Sequence, residues 1–143
     1  MAGCFLIVEA RFYGEIADAQ AEGAIAALMA ADASFERVSV PGALEIPTAI
    51  AMASSGTRQF DGYIALGCVI RGETSHYETV CKESASGLMH LSLTNGLAIG
   101  NGILTVENEA QAWARADSDG QDKGGDAARA ALAMAALKQV FCG

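Results

Sequence analysis

The sequence predicts an α/β protein in which a four-stranded parallel sheet forms the middle layer of a three-layer αβα sandwich. The first observation is that short apolar runs alternate with segments whose apolar residues recur every three or four positions. The order is βαβαβαβαα, and helices between consecutive strands imply parallel strands covered on both faces. The second observation is the composition, because 143 residues, 52% of them hydrophobic, suffice for one packed domain spanning 1–143.

The four predicted strands are apolar runs that end at turn residues. Pro41 and Gly42 stop the second, because proline cannot continue a ladder and glycine permits a tight turn. The third is the most continuous run and is expected to be buried on both faces. Gly100 and Gly102 in the fourth predict either a bulge or a close backbone approach. The strands are predicted at 4–8, 35–40, 63–70 and 97–106.

The predicted helices carry start and stop signals. Pro47 fits only in the first turn of the second helix. Ser75 and Glu78 have the spacing of a capping box at the start of the third, and Asn95-Gly96 is a carboxy-terminal cap signal. The helices are predicted at 15–31, 44–55, 76–95, 107–116 and from 126 onward.

The last helix follows a polar loop at 117–125. Asp126 is predicted to cap it. Its apolar face is expected to consist of residues at helical spacing, namely Ala130, Met134, Leu137 and Phe141.

Charge and cysteine content exclude several classes of protein. The net charge of −8 argues against nucleic-acid binding, which needs a basic footprint. No apolar run approaches about 18 residues, and no targeting signal begins at Met1, so a membrane span is not expected. The cysteines show no metal-binding spacing, which predicts buried free thiols in a reducing compartment, the cytoplasm. They are Cys4, Cys68, Cys81 and Cys142.

A polar turn at 71–75 separates the third strand from the third helix. Such a turn presents free backbone N–H groups and the positive end of a helix, which suits phosphate or another anion. Arg71, Thr74 and His76 add a cation, a hydroxyl and a proton-transfer group. From this stretch alone, a ligand site and an ordinary surface turn both remain open. Ligands of parallel sheets bind beyond the strands' carboxyl ends, where the turns 9–14, 41–46 and 71–76 lie.

Five segments in these turns and in the second half of the chain together resemble the lumazine synthase family, over nearly the whole chain. Each is weakly specific, but all five occur in the family's order and spacing. They are Ala10-Arg11-Phe12, the run 41–47 from Pro41 to Pro47, the run 66–77 from Leu66 to Tyr77, Gly102-Ile103-Leu104-Thr105, and Arg115-Ala116 with Lys123-Gly124.

The resemblance implies a flavodoxin-like winding of the sheet and a transferase of riboflavin biosynthesis. The reaction condenses 5-amino-6-(D-ribitylamino)uracil with 3,4-dihydroxy-2-butanone 4-phosphate, without a metal or redox cofactor. It further implies a homo-oligomer with the pentamer as its unit, which some members of the family assemble into a decamer or a sixty-subunit shell. Riboflavin synthase is a candidate partner.

The resemblance also assigns the reacting groups. His76 is the implied proton-transfer residue, and Asp126 would orient it. The implied phosphate site consists of the helix start and a guanidinium from the neighbouring subunit, namely Gly72, Glu73, Thr74 and Arg115.

The pyrimidine substrate is implied to lie between two groups of residues. Phe12 would stack on its ring, with a core-edge phenylalanine as the alternative. Lys123 would come from the neighbour, with a solvated loop lysine as the alternative. The ribityl chain is assigned to Ala43, Leu44 and Glu45, of which Glu45 could also be an ordinary first-turn acid, and the pyrimidinedione edge to Val69 and Ile70.

Other positions depart from the family or stay outside the implied site. Asn101 is assigned to the substrate site at a position where many members carry an aromatic that closes the ring site, and Ala43 lacks a hydroxyl often found there. Arg71 is interpreted as part of a structural ion pair, and His90 as a solvent-facing residue.

Two other functions compete with the synthase. One is a non-catalytic protein that binds flavin or lumazine on the same scaffold. The other is a flavodoxin-like electron-transfer module, which is disfavoured because the turn at 9–14 lacks a phosphate cradle rich in serine and threonine.

Overall fold

Four parallel strands form the central sheet of the computed structural model, which describes residues 3–143. The strand order β2-β1-β3-β4 is the predicted flavodoxin-like winding, and all three pairings are parallel. Met1 and Ala2, where the sequence predicts no targeting signal, lie outside the described residues. The strands are β1 (Cys4–Ala10), β2 (Ser34–Val40), β3 (Gly62–Ile70) and β4 (Ile99–Val106).

The helices lie close to their predicted positions, with differences at their ends. The second begins as a 3₁₀ turn at Ala43–Glu45, and the last begins three residues earlier than predicted. The helices are α1 (Gly14–Ala30), α2 (Ile46–Ser55), α3 (His76–Asn95), α4 (Glu109–Ala116) and α5 (Lys123–Cys142). Within the part of the chain that the structure describes, none of these helices combines the length and apolar character needed to cross a membrane.

Alternation along β1 divides the core into two layers, one on each face of the sheet. Phe5 and Ile7 pack with α1 and α5, including Leu28. Leu6 and Val8 pack on the other face with residues of α2 and α3. The predicted αβα sandwich is therefore confirmed. The second layer includes Ile46, Ile50, Val80, Leu88 and Leu91.

The predicted apolar face of α5 is wrong. Its large residues are exposed, with Met134 at 48% and Phe141 at 79%. Only small side chains of α5 are buried against the sheet and α1, namely Ala127, Ala128, Ala131 and Ala135. Helical periodicity identifies two faces of this helix but not which one meets the sheet.

The distance between α5 and its neighbours explains this choice of face. A Cβ atom added to Gly100 of β4 would lie 1.8 Å from the carbonyl oxygen of Ala127. One added to Gly124 would lie 2.2 Å from the carbonyl oxygen of Gln20 in α1. The close backbone approach predicted from Gly100 and Gly102 is thus confirmed, and it leaves no room for large side chains.

The caps differ from prediction at two helices. Asp122, not Asp126, is the N-cap of α5, where its Oδ1 accepts a hydrogen bond from the Gly125 N–H at 3.2 Å. Ser75 precedes α3 without a side-chain cap, and Glu78, the other residue of the predicted capping box, pairs with Arg71. The predicted carboxy-terminal cap of α3 is confirmed, since Gly96 adopts a left-handed φ of 64°.

The cysteines are all free, as predicted, but they are less buried than expected. Cys4, Cys68 and Cys81 are half-buried, and Cys142 is exposed at the end of α5.

Gly100→Ala tests the close contact between α5 and the sheet. We expect it to lower the free energy of unfolding by about 1–3 kcal/mol, because the added methyl group overlaps a backbone oxygen that cannot move independently. The measurement is urea unfolding at fixed protein concentration.

Gly14→Ala is the matched control, since nothing lies within 4 Å of a Cβ atom at that helical position. It should leave stability unchanged or slightly raised. Equal stability of the two variants would contradict the close contact.

Candidate active site

A cleft of about 420 Å³ lies at the carboxyl ends of β1 and β3. It is formed by the turn after β1, the 3₁₀ turn before α2 and the start of α3, so three predicted turns meet as the parallel topology requires. The predicted site residues that line it are Phe12, Ala43, Leu44, Glu45, Val69, Ile70 and His76. We call this the ring cleft.

The walls of the ring cleft offer one exposed aromatic face. Phe12 is 76% exposed, so it is not a residue of the core edge. Its ring meets Tyr13 edge-on, with 4.9 Å between centroids. The opposite wall is the turn at Gly42, whose carbonyl accepts a hydrogen bond from the Glu45 N–H at 3.1 Å. A planar ligand could lie against Phe12 while its polar edge meets these turns.

The turn between β3 and α3 can accept an anion. Within residues 3–143, the backbone N–H groups of Gly72, Glu73 and Thr74 donate to no protein acceptor. The Thr74 hydroxyl accepts a hydrogen bond from the backbone N–H of His76 at 3.3 Å. His76 is exposed at the first position of α3 and borders the ring cleft. The turn therefore places a proton-transfer group beside unpaired helix-end donors.

Arg71 links this turn to the end of β4 through its side chain and its backbone. Its Nε donates to Oε2 of Glu107 at 2.5 Å, and it also pairs with Glu78. Its guanidinium lies 4.3 Å from the centroid of the Tyr77 ring. Its backbone N–H donates to the Val106 carbonyl at 2.9 Å. The predicted structural ion pair is confirmed, and the charge of Arg71 is neutralised by two carboxylates.

A second cleft of about 440 Å³ lies between β4, α4 and α5. We call it the guanidinium cleft. It shares no lining residue with the ring cleft. Yet it contains the residues that the family resemblance assigns to the neighbouring subunit, together with the predicted supporting acid. These are Asn101, Arg115, Lys123 and Asp126.

The polar groups of the guanidinium cleft differ in their hydrogen-bond and ion-pair partners. Arg115 Nη1 donates to the carbonyl of Gln111 at 3.0 Å, and Arg115 pairs with no carboxylate of the described residues. Asn101 Oδ1 accepts from the Ile103 N–H at 2.9 Å. Asp126 pairs with Arg129 at 2.8 Å and with Lys123 at 3.6 Å. The hydrogen bond from Arg129 lowers the pKa of Asp126, and this carboxylate lines a different cleft from His76.

Sequence reasoning missed several residues at both clefts. Tyr13, Cys68 and Val80 also line the ring cleft. Burial raises the pKa of the Cys68 thiol to about 11. Arg129 stands three positions after Asp126, a helical spacing that could have identified the pair. No sequence signal separates cleft-lining residues from ordinary core neighbours at Cys68 or Val80.

Two further observations concern residues outside both clefts. His90 is exposed in the middle of α3, as predicted. Among residues 3–143, no group of three or more histidine, cysteine, aspartate and glutamate side chains is placed to hold a metal ion.

Comparison with known proteins identifies close relatives. The family model described as 6,7-dimethyl-8-ribityllumazine synthase matches residues 3–139. A protein of that name from Bartonella tribocorum is 60% identical over 136 residues, which cover 95% of this chain and 90% of the relative. One from Sphingopyxis alaskensis is 62% identical over 136 residues, or 95% of each chain. A 6,7-dimethyl-8-ribityllumazine synthase 1 from Rhizobium meliloti is 60% identical over 138 residues, covering 94% of this chain and 90% of the relative.

The Arg71 ion pairs predict a shifted titration of Glu78. The hydrogen bond from Arg71 lowers the pKa of Glu78 below its ordinary value of 4.5. A lowered folded-state pKa means that the pair stabilises the fold above that ordinary value and that this contribution is lost as the pH falls through the folded pKa. We expect carbon-13 NMR titration of Glu78 to show the low midpoint, and Arg71→Gln to return it toward 4.5.

Arg58→Gln is the control, because Arg58 pairs with Glu36 and not with Glu78. It should leave the titration of Glu78 unchanged. A Glu78 midpoint that does not move in Arg71→Gln would show that another group sets it.

Proposed function

The chain belongs to the 6,7-dimethyl-8-ribityllumazine synthase family and is a transferase of riboflavin biosynthesis, and we propose that its catalytic site forms where two copies meet. In this proposal, the ring cleft of one copy faces the guanidinium cleft of the next. The substrates are 5-amino-6-(D-ribitylamino)uracil and 3,4-dihydroxy-2-butanone 4-phosphate.

The distribution of unpaired cations carries this proposal. Near the ring cleft, Arg11 is neutralised by Glu9 and Asp18, and Arg71 by Glu78 and Glu107. A phosphate at the turn between β3 and α3, which we call the anion turn, would therefore find N–H donors but, among the described residues of its own chain around the ring cleft, no unpaired guanidinium. Arg115 pairs with no carboxylate of the described residues and lies in the other cleft, so a second copy can supply it.

The anion turn then holds the phosphate of the four-carbon substrate. The N–H groups of Gly72 to Thr74 and the Thr74 hydroxyl donate to it, and Arg115 of the next copy adds a charge-assisted hydrogen bond. In the reaction, the amine condenses with the ketone and releases water, phosphate leaves, and the ring closes with loss of a second water. His76 moves the protons of these steps from its place beside the turn.

The ring cleft takes the pyrimidine. Phe12 lies against the ring, and the backbone of Val69 and Ile70 meets the pyrimidinedione edge. The turn from Ala43 to Glu45 holds the ribityl chain. From the next copy, Lys123 approaches the ring or the phosphate, and Asp126 approaches His76.

Exposed apolar surface supports assembly of the chain. Large side chains on the outer face of α5 are open to solvent, which is unusual for a monomer. They are Met134, Leu137, Val140 and Phe141. We propose a pentamer in the cytoplasm, and riboflavin synthase, which consumes the lumazine product, as a candidate partner.

Mixed oligomers test the shared site. His76→Ala and Arg115→Ala are co-expressed with different tags, and oligomers that contain both are purified. Each variant alone should lose activity, about a hundredfold or more for His76→Ala. In random mixtures, about a quarter of the sites combine an intact His76 with an intact Arg115, so about a quarter of wild-type activity should return. The readout is formation of the lumazine chromophore together with phosphate release.

Arg58→Ala is the control for loss of an arginine outside both clefts, and it should retain full activity. If His76 and Arg115 served the same site within one chain, the mixed oligomers would be no more active than the single variants. That result would remove the shared site but not the family assignment.

Asn101→Phe tests whether position 101 faces the side of the pyrimidine ring opposite Phe12. An added aromatic ring should stack on the substrate face opposite Phe12 and lower the KM for the pyrimidine by about twofold to tenfold. The KM for the sugar phosphate should not change, because the substitution adds no group near the phosphate.

Asn101→Ala is the matched control, since it loses the hydrogen bond to the Ile103 N–H without adding a ring. It should leave the KM for the pyrimidine near the wild-type value. Equal KM values in the two variants would mean that position 101 does not face the pyrimidine.

A further inference from the structure

A buried carboxylate lies beneath the turn that carries Phe12. Glu9 is only 2% exposed, although it stands in the apolar run of β1. Its Oε1 accepts hydrogen bonds from Arg11 at 2.7 Å and from Arg37 at 3.0 Å, and its Oε2 accepts from Arg37 Nε at 2.7 Å. Both oxygens are therefore engaged, and β1 is joined to its neighbour β2.

Arg11 extends this network across the turn. The same guanidinium that binds Glu9 also donates to the Gly14 carbonyl at 3.4 Å and pairs with Asp18 of α1. Glu9 precedes the turn and Asp18 follows it, so one side chain joins the end of β1 to the first turns of α1. The hydrogen bond to Asp18, together with that to Glu9, raises the pKa of Arg11.

Little else fixes the position of Phe12. Its side chain is 76% exposed, and its aromatic contact is the edge of the adjacent Tyr13 ring. Tyr13 is the N-cap of α1 and makes no side-chain cap hydrogen bond. The backbone of the turn therefore determines where the Phe12 ring stands, and the contacts of Arg11 span that backbone from Glu9 to Asp18.

We propose that Glu9 is a positioning residue for the pyrimidine substrate and acts through Arg11 and the turn on Phe12. It touches neither substrate. Glu9 holds the turn in place before the substrate binds. Binding therefore does not have to include the free-energy cost of ordering the Phe12 side chain. This inference rests on the proposed function, because it requires Phe12 to contact the pyrimidine.

Glu9→Gln in the full oligomer tests the role, because it keeps the size of the side chain and removes the charge. We expect the KM for the pyrimidine to rise about fivefold, a loss comparable to one aromatic contact. The KM for the sugar phosphate and the kcat at saturation should stay at wild-type values. A purely structural role would not single out one substrate.

The matched control is Glu36→Gln. Glu36 lies on β2 and pairs with Arg58, away from the turn. The same substitution there removes an ion pair without reaching Phe12, and all kinetic constants should remain unchanged.

A double variant shows whether the effect passes through Phe12. Phe12→Leu alone should raise the KM for the pyrimidine, and adding Glu9→Gln should raise it no further. If the two effects multiply, or if both substrates are affected equally, Glu9 supports the fold generally and the positioning role is wrong. An unchanged KM in Glu9→Gln also overturns it while leaving the proposed site intact.

Two further results keep the test decisive. If Phe12→Leu itself leaves the KM for the pyrimidine unchanged, the ring contact of the proposed function fails, and the inference about Glu9 fails with it.

If Glu9→Gln does not fold, Asp18→Asn replaces it. Asp18 is exposed, and its substitution releases the other end of Arg11. It should raise the same KM about twofold, a smaller effect because Glu9 still holds Arg11, and an unchanged KM would overturn the proposal.

Discussion

The close contact between α5 and the sheet determines which side chains of α5 are buried and which are exposed. Because Gly100 and Gly124 leave no space for a Cβ atom, the helix backbone rests almost directly on β4 and α1. The fully buried face of α5 consists of alanine and glycine, and large side chains such as Met134 and Phe141 are exposed to solvent. The same placement sets Lys123 and Asp126 beside Arg115, and so creates the guanidinium cleft. One packing distance thus produces both the surface available for assembly and a set of polar groups separated from the ring cleft.

The arginines near the ring cleft are paired differently from the arginine of the guanidinium cleft. The arginines beside the ring cleft are each held by two carboxylates and serve to fix turns. The buried side chain of Gln20 donates to the carbonyls of Gly67 at 2.9 Å and Gly102 at 2.8 Å, which links α1 to the interior of β3 and β4. These contacts fix the turns of the ring cleft within one chain, whereas Arg115 lies in the guanidinium cleft and pairs with no carboxylate of the described residues.

The sequence predicted the sheet and most helix positions because apolar periodicity and turn residues report local structure directly. It failed where two signals competed. Glu78 could cap α3 or pair with Arg71, and the ion pair formed. The last helix had two apolar faces, and the deciding factor was the glycine opposite Ala127, a contact between residues 27 positions apart. The site roles of Phe12, His76 and Arg115 came from family resemblance, because spacing alone cannot distinguish a ligand contact from an exposed side chain. The isolated acid Glu9 in an apolar strand was a readable sign of a buried ion pair and was overlooked.

The sulfur at the wall of the ring cleft has a consequence for chemoselectivity. A thiolate beside an electrophilic ketone would add to the carbonyl and compete with the amine. Because burial raises the pKa of Cys68 to about 11, the thiol is protonated at neutral pH. In the reaction that we propose, the Cys68 side chain therefore does not compete with the amine for the ketone.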